Sequence, residues 1–317
     1  MRIAFIKCQG SGNDFPLVDG RALALDDGEW AAIARALADR AGPVGGDGLL
    51  ILTGPAGGQP FGMRMLNPDG SEAETCLNGL RCTARLGFEV TGLTAAEVRL
   101  KTSVAGAASE PDMAAGVATV RTEAVPAGVG AAAIGLKVAM DGPVDQPVPG
   151  VPSARAFTAV AMPNPHLVAF VDAIDGDELI ALGDWAEAAP DILPARCNVS
   201  FVRVDGADAI YVRTYERGVG LTDSCGSAMA ASVLAAVLTG RVAAGAWIRV
   251  ANRGGFVRAM TDRAAADATI TIAGNATFEW EGVAEIDLTT ARVTAMTRTA
   301  ERPQEADAWD AVLAGLD

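Results

Sequence analysis

One histidine, two tyrosines and only 5% aromatic residues stand in a chain of 317 residues. Lysine is almost as scarce, occurring as Lys7, Lys101 and Lys137 alone. With His166 the single histidine and no Cys-x-x-Cys pair, a zinc site lacks ligands and no metal is expected. So few lysines count against a pyridoxal phosphate held as a lysine Schiff base. Positive charge is short as well. The net formal charge of −14 argues against nucleic acid or an anionic membrane surface as partner. Five cysteines, odd in number and irregular in spacing, make no disulfide framework, and reduced thiols in the cytoplasm are the simpler expectation. Met1–Lys7 meets the polar Gln9–Gly12 too soon for a signal peptide, and no apolar run reaches the ~18 residues of a membrane span.

Half of the residues are hydrophobic, so the chain is globular and long enough for two domains with sizeable cores. Its most informative stretch is Cys225-Gly226-Ser227, followed by a small apolar run and preceded by Tyr215-Glu216-Arg217-Gly218. The pattern predicts a strand, a Gly-rich loop and a helix with a thiol in its first turn. Unpaired N–H groups at a helix start bind an anion and lower the pKa of a cysteine placed there. Asn67-Pro68-Asp69-Gly70-Ser71-Glu72-Ala73-Glu74-Thr75-Cys76 has the same layout, with Leu77, Asn78 and an apolar helix after it. Two such units suggest two thiols serving one substrate.

Strands are predicted over 2–7, 15–19, 49–52, 61–66, 96–102, 116–122, 133–139, 155–161, 167–171, 199–204 and 209–215. More follow over 246–251, 255–260, 268–273, 277–281 and 283–288. Helices are predicted over 29–40, 77–88, 178–188, 226–239 and 303–315, the last a peripheral tail. Trp30, Ile33, Ala34 and Leu37 have the spacing of one helix face. The two cysteine helices are apolar almost all round, hence buried. A sheet wrapped around a central helix, made twice, satisfies this pattern: an α+β chain of two similar domains, with the stretch 123–133 as the junction.

A lone cysteine is more often an inert core residue than a reactive one. Cys76 and Cys225 depart from that default because both follow polar loops and open helices. Cys82 lies inside its helix, and Cys8 and Cys197 start none, so these three are structural. His166 sits in Met162-Pro163-Asn164-Pro165-His166, a stiff turn suited to holding a side chain in place. Glu216 and Arg217 at a strand end read equally as a solvated ion-pairing edge. Asn13 sits in a polar loop as a turn residue, while Asn67, Asn78, Asn164 and Asn198 are each turn or capping residues or, near the thiols, amides suited to an amino-acid zwitterion.

Several motifs in order resemble those of the diaminopimelate epimerases, cofactor-independent two-thiol racemases. They are Gly10-Ser11-Gly12-Asn13-Asp14-Phe15, Asn67-Pro68-Asp69-Gly70, Cys76-Leu77-Asn78-Gly79-Leu80-Arg81-Cys82, Asn164-Pro165-His166, Tyr215-Glu216-Arg217-Gly218 and Cys225-Gly226-Ser227. The resemblance covers about residues 1–290. It implies two similar domains, each a mixed sheet or barrel around a central helix, with the active site in the cleft between them. The expected bounds are 1–125, joined by 275–317, and 126–274. It implies Cys76 and Cys225 as the acid/base pair, assisted by His166 and Glu216, with no cofactor. Asn13, Asn67, Asn164, Asn198, Glu216 and Arg217 would hold the substrate, its distal end above all. Leu77, Asn78, Gly226 and Ser227 would offer backbone groups to the reacting carboxylate. The expected partner is a small amino acid, with a homodimer left open. Three departures bear on substrate: Leu77 where the family has glycine, Gly48 where it has glutamine, and Leu221 where many members have glutamate. A racemase of another amino acid, such as histidine, is therefore an alternative to LL- to meso-diaminopimelate conversion. A thiol redox sensor is a third.

Overall fold

Five helices among the described residues run in the order α1 (Asp27–Ala38), α2 (Leu77–Thr91), α3 (Gly176–Glu187), α4 (Gly226–Leu238) and α5 (Pro303–Ala314). The computed structural model describes residues 1–73, 76–140, 142, 144–162 and 164–315. Glu74, Thr75 and Pro163 of the motifs above lie outside the described residues. The chain divides into two compact units, Met1–Thr122 with Ala273–Asp317, and Glu123–Ile272.

In the first unit the sheet is mixed. Arg2–Gly10 pairs antiparallel with Asn13–Asp19 and with Thr277–Asp287. Asn13–Asp19 runs parallel to Leu49–Thr53, which pairs antiparallel with Phe61–Leu66. Phe61–Leu66 runs parallel to Ala95–Arg99, followed antiparallel by Val104–Glu110. Helix α2 packs against the strands Arg2–Gly10, Asn13–Asp19, Leu49–Thr53, Phe61–Leu66 and Val104–Glu110, so the sheet wraps it. The helix ends where Gly92 takes a left-handed φ of 75° and its N–H closes on the Phe88 carbonyl, the conformation glycine adopts most readily. On the outer side, α1 buries Trp30, Ile33, Ala34 and Leu37, the face its spacing predicts. A reciprocal cap starts it: Asp26 accepts from the Glu29 N–H, and Glu29 from the Asp26 N–H.

In the second unit, Ala156–Met162 pairs antiparallel with Asn164–Phe170, which runs parallel to Asn198–Gly206. Ala209–Glu216 then pairs antiparallel with Asn198–Gly206 and parallel with Ile248–Asn252, whose antiparallel neighbour is Gly255–Thr261. Helix α4 lies inside this sheet with every residue but Ser227 and Leu238 buried. Six of its thirteen positions up to Leu238 being glycine or alanine, the strands can approach its backbone closely. The fold is thus α+β with one helix wrapped by mixed strands in each unit.

Three expectations are corrected. No strand forms over 133–139; residues Ala132–Ile134 make a 3₁₀ turn between Gly130 and Gly135, both at positive φ. Ile134 and Leu136 still reach the core, packed with Phe157, Leu179 and Phe201. Asn164 and His166 lie on a strand rather than in a turn. The C-terminal segment is no peripheral tail: Arg292–Glu301 adds a strand to Thr277–Asp287, Trp309 is buried, and Glu305 forms an ion pair with Arg85 of α2.

Candidate active site

In the first unit, Cys76 is the residue that caps α2. Its extended backbone (φ −147°, ψ 105°) turns the chain into the helix, and its Sγ accepts the Gly79 N–H at 3.4 Å. The thiol thus sits at the positive end of the helix dipole. Asn78, buried in the first turn, donates through Nδ2 to Asn13 Oδ1 at 2.5 Å. Asn13 in turn donates to Asp47 Oδ2 at 3.0 Å. Asp47 is a residue that the sequence did not single out. It also accepts the Asp14 N–H and Arg40, and so fixes the loop that carries Asn13. Leu77 is buried beside them. Asn67 opens the turn to Ser71, with its Nδ2 on Ser71 Oγ at 3.0 Å and its N–H on the Ser71 carbonyl. It is half-buried and joins none of the bonds between Asn13, Asn78 and Asp47.

Gly48 has a packing reason. A Cβ at this position would lie 2.5 Å from the Leu66 carbonyl oxygen and 2.8 Å from the Met65 methyl. The departure at 48 is therefore built into the strand contact, and a glutamine there would displace backbone. Gly48→Ala is expected to destabilise the protein by about 1–3 kcal/mol through overpacking, read as a fall in the urea midpoint.

In the second unit the residues fall into two connected groups. In the first, the buried His166 Nε2 lies 3.1 Å from Asn164 Oδ1, while Nδ1 has no partner. Asn198 Oδ1 accepts the Arg217 N–H at 3.0 Å, leaving its buried Nδ2 unpartnered. The Arg217 guanidinium donates to the Ala195 carbonyl and acts on His166 through its charge. Burial, and secondly that charge, push the imidazole down to about 3. His166 is therefore neutral at pH 7 and serves as a hydrogen-bonding group, not a cation.

In the second group, Cys225 caps α4 and lies 3.4 Å from Ser227 Oγ. Glu216 accepts Thr222 Oγ1 at 2.6 Å and stands close enough to interact with the thiol. Burial, and then the Glu216 carboxylate, push Cys225 well above the usual thiol range; the Ser227 hydroxyl and Ala228 N–H pull the other way and lose. This corrects the expectation of a lowered pKa at that helix start: desolvation and a neighbouring anion outweigh the dipole. Cys225 lines a narrow recess with Thr214, Ser224, Met229 and Asn252 that is too tight to hold a water molecule. Leu221 is exposed on the short strand Gly220–Thr222. Cys8, Cys82 and Cys197 are buried.

The diaminopimelate epimerase family model matches residues 5–107 and 158–279, which include both helix-capping thiols. The chain belongs to the diaminopimelate epimerase family. It is 36% identical to the diaminopimelate epimerase of Clostridium acetobutylicum over 290 residues, covering 90% of this chain and 87% of that protein. It is 36% identical to the one of Listeria monocytogenes over 310 residues, covering 95% and 94%. In fold it is similar to a phenazine biosynthesis protein of the PhzF family from Bacillus anthracis, with a TM-score of 0.63 at 14% identity over 90% of this chain and all of that one. A hydroxyproline epimerase from Agrobacterium vitis gives a TM-score of 0.59 at 14% identity over 99% and 98%. No helix among the described residues is long and apolar enough to cross a membrane.

Burial of the neutral His166 also makes folding stability depend on pH. Its folded-state pKa of about 3 lies below the ~6.5 of an unfolded chain, so the unfolded state binds the extra proton between those values. The contribution is fully present above about pH 6.5 and is lost as pH falls, by about 1.4 kcal/mol per unit at most. Urea titrations at descending pH are expected to show this slope, reduced in His166→Asn.

Proposed function

We propose that this chain epimerises LL-diaminopimelate to meso-diaminopimelate, with Cys76 and Cys225 as the acid/base pair. The observation that carries the mechanism is that each thiol caps the apolar central helix of its own unit. An amino-acid α-proton is very weakly acidic, so the carbanion that forms needs stabilisation at its carboxylate. Backbone N–H groups of Leu77, Asn78, Gly226 and Ser227 at the helix starts are suited to supply it. A thiolate removes the proton and the second thiol returns one; inversion requires the two events on opposite faces of the carbon. Cys225, held protonated by burial and Glu216, is the donor in the first direction, and Glu216 receives its proton when the roles reverse. His166 and Asn164 orient each other, and Asn13, Asn67, Asn198 and Arg217 hold the distal amino-acid end. All protons move on the protein's own groups, so the scheme calls for no cofactor. The setting is the cytoplasm, where both thiols stay reduced, and the substrate is a small amino acid free in solution.

The deciding experiment is α-proton exchange in D₂O, followed by NMR for diaminopimelate and for single-headed amino acids including histidine. Exchange with inversion confined to diaminopimelate is expected. Faster exchange on a single-headed amino acid would overturn the substrate, and no exchange on any would overturn the reaction.

A further inference from the structure

Arg81 lies on α2, fully buried, and no carboxylate pairs with it among the described residues. Its Nε donates to the Asn275 carbonyl at 3.0 Å and its Nη2 to Ser11 Oγ at 2.9 Å, while Nη1 has no partner. Both acceptors are neutral. A buried cation left without an anion is unfavourable, and burial pushes this guanidinium down to about 10. The anchors that hold it are themselves fixed. Asn275 Oδ1 accepts the Ser11 N–H at 2.7 Å, and its Nδ2 donates to Gln9 Oε1 and Thr277 Oγ1. Ser11 is held at a left-handed φ of 52°.

The guanidinium also sits against the first turn of α2. A Cβ on Gly10 would fall 2.8 Å from the Asn78 carbonyl and 3.1 Å from Arg81 Nη2, so three groups meet in the space one methyl would fill. Among the described residues, the ionisable groups that act on Arg81 appreciably are the thiols of Cys82 and Cys76. Cys82 is buried in the core with Cys8, whereas Cys76 is half-buried. Among the described residues no anion complements this charge, which is fixed by neutral anchors and keeps an idle N–H pair.

We propose that Arg81 is a positioning residue whose charge, held beneath the start of α2 by Asn275 and Ser11, favours the anionic form of Cys76 and of a carboxylate docked at the adjacent N–H groups. This deepens the two-thiol reading and rests on it for its purpose. The test needs no substrate, so the failure of one is distinguishable from failure of the other.

Iodoacetamide alkylation of the Cys76 peptide, quantified by mass spectrometry in the full chain, is measured from about pH 6 to about pH 10, bracketing an ordinary thiol at ~8.5. In the wild type the rate midpoint is expected below that value. Arg81→Gln is expected to raise it by about one pH unit or more, and Arg81→Lys to restore most of the shift. A purely structural Arg81 predicts the reverse order, because lysine cannot span both anchors. Should Arg81→Gln not fold, Asn275→Asp serves: a carboxylate in the same network offsets the guanidinium, and the midpoint is expected to rise. An unchanged midpoint in a folded Arg81→Gln or Asn275→Asp protein, or a wild-type midpoint at or above the ordinary thiol value, overturns the proposal.

Discussion

Cys76→Ala and Cys225→Ala are each expected to reduce epimerisation of diaminopimelate by about 10³-fold or more while leaving the urea midpoint close to that of the wild type. The two sites differ in packing. Cys76 is half-buried, and its capping bond from Gly79 is lost in the alanine variant at a cost of about 1 kcal/mol. Cys225 is buried, and its sulfur has only weak contacts with the Ser227 hydroxyl and the Ala228 N–H, so the alanine variant removes a small side chain and little hydrogen bonding. Neither change reaches the cores around Phe157 and Phe201 or around Trp30 and Trp280. Turnover and stability are therefore expected to separate cleanly. The variants are also expected to differ from each other in isotope exchange. With one thiol intact, a proton can still be removed from the enantiomeric centre that thiol addresses and be returned to the same face. Cys76→Ala and Cys225→Ala should then wash deuterium into opposite stereochemical series. Equal residual exchange on both series, or turnover within tenfold of the wild type in either variant, would sink the assignment.

How much of this was legible in the sequence depends on how each residue reports its surroundings. The two thiol caps were legible because an apolar run after Cys-Gly-Ser or Cys-Leu-Asn has no exposed face and must be a buried helix. Val104–Glu110 was missed because Ala105, Gly106, Ala107 and Ala108 carry little strand preference; their place is set by pairing with Ala95–Arg99. Arg292–Glu301 was missed for a related reason. It is nearly all exposed and is held by its ladder to Thr277–Asp287, so no burial alternation marks it. Asn164 and His166 read as a turn because of two prolines, although the strand starts at Asn164. Asp47 was not singled out and Arg81 stood only as one letter of a motif, since charged residues read as surface unless their partners are known. The sign of the shift at Cys225 was likewise hidden: the helix start is visible in sequence, but the burial and the approach of Glu216 are tertiary facts.

Glu216→Gln is expected to push reactivity and turnover at Cys225 in opposite directions. In the wild type the carboxylate raises the thiol, second only to burial. Replacing it with a neutral amide of the same shape removes that part of the shift, so the thiolate becomes easier to form and alkylation of Cys225 by iodoacetamide at neutral pH speeds up. The amide keeps a carbonyl oxygen toward Thr222 Oγ1, so the strand Gly220–Thr222 and the loop before α4 stay in place. Turnover is nevertheless expected to fall by about 10²-fold, because an amide cannot take the thiol proton when Cys225 must act as base. The equilibrium constant ties the two directions together, so kcat/KM should fall by the same factor in both. Thr222→Val supplies the control, since it removes the hydroxyl that stabilises the carboxylate and leaves the charge. It is expected to lower turnover only a few-fold and to slow alkylation, if anything. Slower alkylation of Cys225 in Glu216→Gln, measured on its own peptide, would mean that the carboxylate activates the thiol directly, contrary to an anion that holds the proton on.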